Sequence, residues 1–268
     1  ERHLLTQIFR FFTQADVEVG DCYMRRYAQV FEPTEVRMML AAFANAETIH
    51  IAAYSHLLDT VGMPESDYAA FLDYAEMKAK YDYLQGFGVD DPRAIARTLA
   101  AFGGFAEGLQ LFASFAILLN FPRFNRMKGM GQIVTWSVRD ESLHCAAMTR
   151  LFRVLVAETP ELSLAGLRDD VVGVCERMVA HEDAFIDLAF ALGPVRGLAS
   201  DDVKRYIRWL ADRRLAQLGY GPLYGVAEPP LPWLETMLHG VEHANFFENR
   251  ATEYARSAMR GDWSDAFS

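Results

Sequence analysis

Apolar residues recur every three or four positions along almost the whole chain, as a helix with one buried face requires. No alternating apolar and polar run lies between hairpin turns. The pattern predicts helices over residues 3–30, 33–62, 64–83, 91–120, 128–157, 164–192, 200–218 and 239–258, with loops over 86–89 and 219–232. The sequence therefore predicts an all-α protein.

Proline and polar residues indicate where several of these helices begin or end. Pro33 is placed as a first-turn residue of the second helix, and Pro122 ends the helix that begins at Asp91. Ser200 with the acids that follow it is typical of an N-terminal cap. No low-complexity tract or linker divides the chain before its end. We therefore expect one domain over 1–258 and a flexible, acidic and aromatic tail over 259–268.

Composition and charge narrow the function classes. The chain of 268 residues is 51% hydrophobic and carries a formal net charge of −10, which argues against a nucleic-acid or anionic-membrane surface. Its longest apolar run, residues 111–119, is shorter than the roughly 20 residues of a membrane span. Three scattered cysteines favour free thiols and a reducing compartment. A cytoplasmic protein is expected.

Two Glu-x-x-His patterns are the strongest chemical signal in the chain. Glu47 and His50 share one helix face with Tyr54 one turn further on, and Glu141 and His144 repeat the pair. A single such pair is usually an ordinary surface pair. Two pairs, with lone acids on two further helices, are how a four-helix bundle holds a dimetal centre.

The lone acids are Asp16 on the first helix and Glu107, which lies among small and apolar residues. A carboxylate buried there would stay protonated or find a cation. Two divalent ions would neutralise four carboxylates. Four carboxylates with two imidazoles suit iron or manganese better than zinc or magnesium.

Over essentially its whole length the chain resembles the small (radical-generating, beta) subunit of class I ribonucleotide reductase. The resemblance is carried by the spacing of Asp16 and Glu47 and by four segments of the sequence. These are the run Glu-Thr-Ile-His-x-x-x-Tyr-Ser-His over 47–56, Glu107 with Ser114-Phe115-Ala116, Arg-Asp-Glu-Ser-Leu-His over 139–144, and Asn-Phe-Phe-Glu-Asn-Arg over 245–250. It implies a ferritin-like helical bundle and the activity of a ribonucleoside-diphosphate reductase subunit beta, an oxidoreductase of deoxyribonucleotide synthesis for DNA replication.

The resemblance also implies roles for individual residues. The metal ligands would be Asp16, Glu47, His50, Glu107, Glu141 and His144, holding two iron ions, or alternatively two manganese ions or one of each. The centre would oxidise Tyr54, or store the oxidising equivalent itself, and the hole would move to a cysteine of the large subunit. Leu111 and Phe115 suit an apolar pocket for Tyr54. Ser137 departs from the aliphatic residue of many relatives, and its hydroxyl would admit water or offer a hydrogen bond.

Other residues are expected along the radical path and at the partner surface. Asp140 would hydrogen-bond His50, with a simple salt bridge to a nearby base as the alternative. Tyr254 would relay the hole, with a packing role as the alternative, and the tail with Trp263 and Phe267 would dock on the large subunit. The subunit is expected to form a homodimer.

The relay tryptophan of the family would precede Asp16, and no tryptophan lies there. The chain also opens in helical rhythm without an initiator methionine. Both features predict that an N-terminal segment is missing from this sequence.

Two other functions fit the same ligands. One is a dimetal oxidase or oxygenase that acts on its own small-molecule substrate. The other is a ferritin-like iron store, which the long C-terminal helices do not suit.

Overall fold

The computed structural model describes residues 1–64, 66 and 69–242. Its helical elements, in chain order, are α1 (Arg2–Asp21), a π-helical turn (Cys22–Tyr27), α2 (Ala28–Val30), α3 (Thr34–Val61), a 3-10 turn (Ala70–Asp73), α4 (Ala75–Gln85), α5 (Pro92–Leu99), a π-helical segment (Ala100–Leu111), α6 (Phe112–Arg123), α7 (Lys128–Glu158), α8 (Leu164–Ala189), α9 (Ser200–Leu218) and α10 (Pro232–Glu242). Among these residues the only β pairing is an isolated bridge between Val195 and Leu198. The predicted all-α class is confirmed.

Most predicted boundaries hold to within three residues, and the differences have local causes. The backbone turns extended at Tyr74 (φ −96°, ψ 120°), so the stretch predicted as one helix over 64–83 is broken before α4. The N-cap of α9 is Ala199, whose backbone N–H donates to the Asp202 carboxylate at 2.9 Å, and not Ser200. The last predicted helix begins at Pro232 rather than at residue 239, and its part beyond Glu242 lies outside the described residues.

Four helical segments form a closed bundle. Helix α1 packs on α3, α3 on α7, α7 on the π-helical segment 100–111, and that segment on α1. Each of the four presents an apolar face inward, and burying these faces is the main stabilising contribution. Helices α8 and α9 pack outside the π-helical segment and cover it.

The continuous helix over α5, the π-helical segment and α6 is the central rod of the molecule. It is long and apolar enough to cross a membrane, but its apolar window is entirely buried among the other helices. Its glycines allow this close packing. A Cβ built on Gly103 would lie 2.3 Å from Cβ of Met148 on α7, and one on Gly108 would lie 2.5 Å from Nε of Arg214 on α9. The rod is therefore a core helix, and side chains of the neighbouring helices pack directly against its backbone at these glycines.

Candidate metal centre

The bundle brings all six predicted ligand side chains into one buried space. Asp16 comes from α1, Glu47 and His50 from α3, Glu107 from the π-helical segment, and Glu141 and His144 from α7; each is at most 4% exposed. The i, i+3 spacing on α3 and α7 places each glutamate beside the histidine of its own helix. A π-helical segment is a frequent feature of functional sites, and this one carries Glu107.

The ligand atoms fall into two overlapping trios. Asp16, Glu47 and His50 form one, and Glu47, Glu107 and His144 form the other, with the atoms of each trio within 4.8 Å of one another. Glu47 belongs to both. The arrangement therefore has room for two cations that share a ligand.

Glu47 and Glu141 each lie between the two histidines. Glu47 places Oε2 3.4 Å from Nδ1 of His50 and Oε1 3.1 Å from Nδ1 of His144. Glu141 places Oε1 3.1 Å from Nδ1 of His50 and Oε2 3.5 Å from Nδ1 of His144. Two carboxylates thus span the site, while Asp16 lies on the His50 side and Glu107 on the His144 side.

These polar atoms face a shared space rather than hydrogen-bonding one another. Thirteen buried side-chain nitrogen and oxygen atoms of the described residues have no hydrogen-bond partner within the chain, and nine of them belong to these six residues. Such a concentration of unpartnered polar atoms is costly unless a cation occupies the space. The carboxylate and imidazole donors, with these unpartnered atoms, fit two divalent metal ions.

The electrostatics of these six side chains, called the cage from here on, agree with this fit. Burial, together with the neighbouring carboxylates, raises the pKa of Asp16 well above its usual value, and burial likewise raises the pKa of Glu107. Burial alone would lower the pKa of His144, but Glu141, Glu47 and Glu107 raise it to about 10. Without a metal the cage therefore retains protons that a cation would displace.

Tyr54 is buried beside this site in an aromatic pocket. Its ring stacks on Phe12 at 4.7 Å between centroids, and Phe12 stacks in turn on Phe115 at 5.5 Å. Its hydroxyl donates to Oγ of Ser137 at 2.8 Å. Burial, and then the charge of Asp16, raise the pKa of Tyr54, so the phenol keeps its proton. The polar group at residue 137 thus supplies a direct hydrogen bond.

Of the two residues expected in the pocket, Phe115 belongs to its aromatic stack and Leu111 lines another cavity. Phe115 reaches Tyr54 through Phe12, which sequence reasoning did not place there. Leu111 lines a small separate cavity with Phe11 and Lys80. The aromatic residue four positions before Asp16 was the available signal for Phe12, because i and i−4 share a helix face.

Asp140 makes both of the contacts that the sequence suggested as alternatives, one with His50 and one with a nearby base. Its Oδ2 lies 3.4 Å from Nε2 of His50, and its Oδ1 accepts from Nε and Nη2 of Arg139 at 3.1 Å. Because Asp140 faces Nε2, Nδ1 of His50 is left to face the space between the acids. Burial raises the pKa of the Asp140 carboxyl, but the bonds to His50 and Arg139 outweigh it and hold the pKa below its usual value.

Sequence reasoning missed Tyr23, which touches the site directly. It is buried in the π-helical turn 22–27, and its hydroxyl donates to Oε1 of Glu107. Its ring meets His144 edge-on at 6.0 Å between centroids and Phe43 at 5.8 Å. Its position seven residues after Asp16, on the same helix face, was the only signal. Tyr254, Trp263 and Phe267 lie outside the described residues, and their predicted roles stay predictions.

The fold and the site define a helical-bundle protein with a dimetal carboxylate–histidine centre. Comparison with known proteins identifies the family within this class. A family model described as "Ribonucleotide reductase, small chain" matches residues 1–230. The chain belongs to that family, and it is the small subunit of a class I ribonucleotide reductase, an oxidoreductase.

Individual relatives agree with the family assignment. The chain is 46% identical to a probable ribonucleoside-diphosphate reductase small subunit of Invertebrate iridescent virus 3, covering 98% of this chain and 74% of that one. It is 42% identical to the corresponding protein of Invertebrate iridescent virus 6, covering 99% of this chain and 84% of that one.

A solved structure shares the fold. It is a putative class I ribonucleotide reductase from Bacillus halodurans, with a TM-score of 0.81 at 20% identity, covering 87% of this chain and 86% of that one. These relatives do not favour the alternative of an oxidase with its own substrate.

Proposed function

We propose that this subunit generates and stores a one-electron oxidant at the buried cage and passes it to a large catalytic subunit for the reduction of ribonucleotides. The observation that carries the proposal is the pair of overlapping acid and histidine trios, whose atoms lack partners within the chain. Family membership supplies the reaction. The geometry supports the choice of residues.

The proposed metal ligands are the six residues of the cage. Glu47 and Glu141 would serve both ions, because each has one oxygen toward each histidine. Asp16 would serve the ion nearer His50, and Glu107 the ion nearer His144. Two redox-active ions supply one-electron oxidising power to such a site. We propose iron, with two manganese ions or a mixed pair as the alternatives, since this donor set suits both.

Tyr54 is the proposed site of the stored oxidant. A tyrosyl radical persists only when water and reductants are excluded, and Tyr54 is 2% exposed and covered by Phe12. Ser137 holds the phenol oxygen in a fixed position. The aromatic cover and the hydrogen bond together support Tyr54 over the metal pair alone as the storage site.

The path by which the one-electron hole leaves the site is proposed to begin at Asp140. This residue links buried His50 to Arg139 on the exposed side of α7. Tyr254 would continue the route, and the tail over 259–268, with Trp263 and Phe267, would dock on the large subunit. A cytoplasmic location accompanies this proposal, because the thiols of Cys22, Cys145 and Cys175 are free and buried.

A second copy of the chain is the proposed cover for the outer face of α3. This face carries an apolar stripe with Met38 67% exposed and Ile49 59% exposed; alanines 42 and 52 lie on the same stripe, and Asn45 and His56 are its polar members. Exposed apolar stripes of this kind mark protein interfaces. A homodimer is therefore part of the proposal.

Electron resonance after adding ferrous iron and oxygen to the metal-free protein tests this function. We expect a tyrosyl signal in the wild-type protein, no such signal in Tyr54→Phe, and ribonucleotide reduction with the large subunit that falls in parallel. Tyr83→Phe removes the same atom from a tyrosine on α4 and is the control. Full activity in Tyr54→Phe would contradict the role of Tyr54 and place the stored oxidant on the metal pair.

A further inference from the structure

The two oxygens of Glu107 are in different situations. Oε1 accepts the hydrogen bond from the hydroxyl of Tyr23. Oε2 has no hydrogen-bond partner within the chain and lies 3.9 Å from Nδ1 of His144, toward the shared space of the cage. Asp16, Glu47 and Glu141, in contrast, each have both carboxylate oxygens without a partner. Glu107 is therefore the one acid of the four with an oxygen already engaged.

The phenol that engages it is held firmly. Tyr23 is 1% exposed, and its ring is packed edge-on against Phe43 and against the His144 ring. Tyr23 lies in a π-helical turn and Glu107 in a π-helical segment, so both backbones depart from α-helical geometry where the two side chains meet. A hydrogen bond from a fixed donor restricts rotation of the carboxylate that accepts it.

We propose that Tyr23 is a positioning residue that limits Glu107 to a single oxygen, Oε2, as a ligand of the ion nearer His144. This inference rests on the proposed dimetal function and deepens it. By fixing Glu107, the phenol raises the affinity of that site and leaves the site formed by Asp16 and His50 unaffected. The two ions are thereby bound by chemically different sets of oxygens, although the Glu-x-x-His pairs are alike.

Titration of the metal-free full chain with Mn(II), followed through the resonance signal of free Mn(II), tests the inference without measuring activity. We expect wild-type protein to bind two ions. In Tyr23→Phe one of the two affinities should fall by about 10–100-fold, as is typical when an outer partner of a ligand is removed, while the other stays unchanged.

The matched control is Tyr27→Phe. Tyr27 is buried in the same π-helical turn, 6.2 Å from Tyr23 between ring centroids, and its hydroxyl hydrogen-bonds none of the six acids and histidines. The same oxygen is removed from the same turn, so this variant should retain both wild-type affinities. Thermal unfolding of each metal-free variant reports whether the fold is kept.

The outcomes separate the inference from the proposed function. Equal affinities in the Tyr23→Phe and Tyr27→Phe variants would overturn the inference while leaving two bound ions. Equal weakening at both sites, or loss of the fold, would assign Tyr23 to core packing and also overturn it. Fewer than two ions bound by the wild-type protein would contradict the proposed function, and the inference would fall with it.

Discussion

At the scale of single residues, the site is determined by where each polar atom finds a partner. Four of the six cage residues could be predicted because a carboxylate and an imidazole three residues apart share a helix face, and Glu107 because it is the single acid of an apolar segment. Asp16 has Glu18 and Asp21 nearby, and its selection rested on its place on the first helix and its spacing from Glu47. Tyr23 could not be predicted with the same ease. Its partner, Glu107, is 84 residues away, and a tyrosine among apolar residues is usually a core residue. Long-range contacts of this kind follow only from the packing.

Ser137 gives a prediction at this scale. In the resting state Tyr54 donates to Ser137, whose Oγ in turn lies 3.3 Å from the carbonyl oxygen of Ile133. Once Tyr54 has lost its proton and one electron, the Ser137 hydroxyl can turn and donate to the phenoxyl oxygen. Ser137→Ala removes this bond, so the largest g value of the tyrosyl signal should rise.

High-field electron resonance measures that shift. Ser137→Thr keeps the hydroxyl and is the control, with a g value near that of the wild-type protein. An unchanged g value in Ser137→Ala would show that the hydroxyl does not face the radical.

At the scale of helices, periodicity predicted nearly every element, and α9 was predicted at its observed bounds of Ser200–Leu218. The two π-helical segments were not predicted. All twelve residues of 100–111 are buried, so this segment has no polar face to report its period, and the turn over 22–27 is too short to show a change of period. Helix α10 begins seven residues earlier than predicted, because Pro232 is a first-turn residue of the helix and not the end of the loop over 219–232. The errors lie at element boundaries and in local winding rather than in element type.

The approach of α7 to the central rod provides a prediction at this scale. In Gly103→Ala the new Cβ would lie 2.3 Å from that of Met148, so the rod must move away from α7, and Glu107 with it. Overpacking of this kind costs about 1–3 kcal/mol of unfolding free energy. Urea denaturation of the metal-free protein should show this loss, and metal affinity should fall as well.

Gly173→Ala is the matched control, because it lies within helix α8 with no neighbouring atom within 4 Å of the added Cβ. That change should be neutral or stabilising by up to about 1 kcal/mol. Equal stabilities for the two variants would contradict the close approach of the rod to α7.

At the scale of the whole molecule, the sequence predicted an all-α domain around one buried polar site, and the structure contains, outside that site, a buried ion pair that was not predicted. Lys80 donates to Glu182 at 2.6 Å, and both are at most 2% exposed. Charged residues on amphipathic helices normally face solvent, so their sequence context gives no sign of burial. Lys80 Nζ also lies 3.5 Å from the centroid of the Phe11 ring, which gives the ammonium group a second partner.

The unfolding free energy of the metal-free protein should depend on pH, because side chains of the cage bind protons more tightly in the folded state than in the unfolded state. The folded pKa of His144, about 10, is raised above its ordinary value of 6.5. Its stabilising contribution is therefore fully present below pH 6.5 and is lost as the pH rises toward 10. The raised pKa values of Asp16 and Glu107 act in the same direction.

We expect the melting temperature of metal-free protein to fall by on the order of 5 °C between pH 6.5 and 8.5. Saturating Mn(II) should remove most of this slope, because metal-bound imidazole carries no dissociable proton on the coordinating nitrogen. Calorimetry on both forms measures the difference. If the melting temperatures of the metal-free and the Mn(II)-bound protein depend equally on pH, the protons responsible are not bound at the cage.

The central claim is that side chains from four helices hold two redox-active ions in one buried cage. Anomalous diffraction from crystals of the full chain grown with Mn(II) tests it most directly. The account predicts two peaks between His50 and His144, with Glu47 and Glu141 in contact with both ions, Asp16 with one and Glu107 with the other. A single peak, or peaks only at the surface, would contradict it.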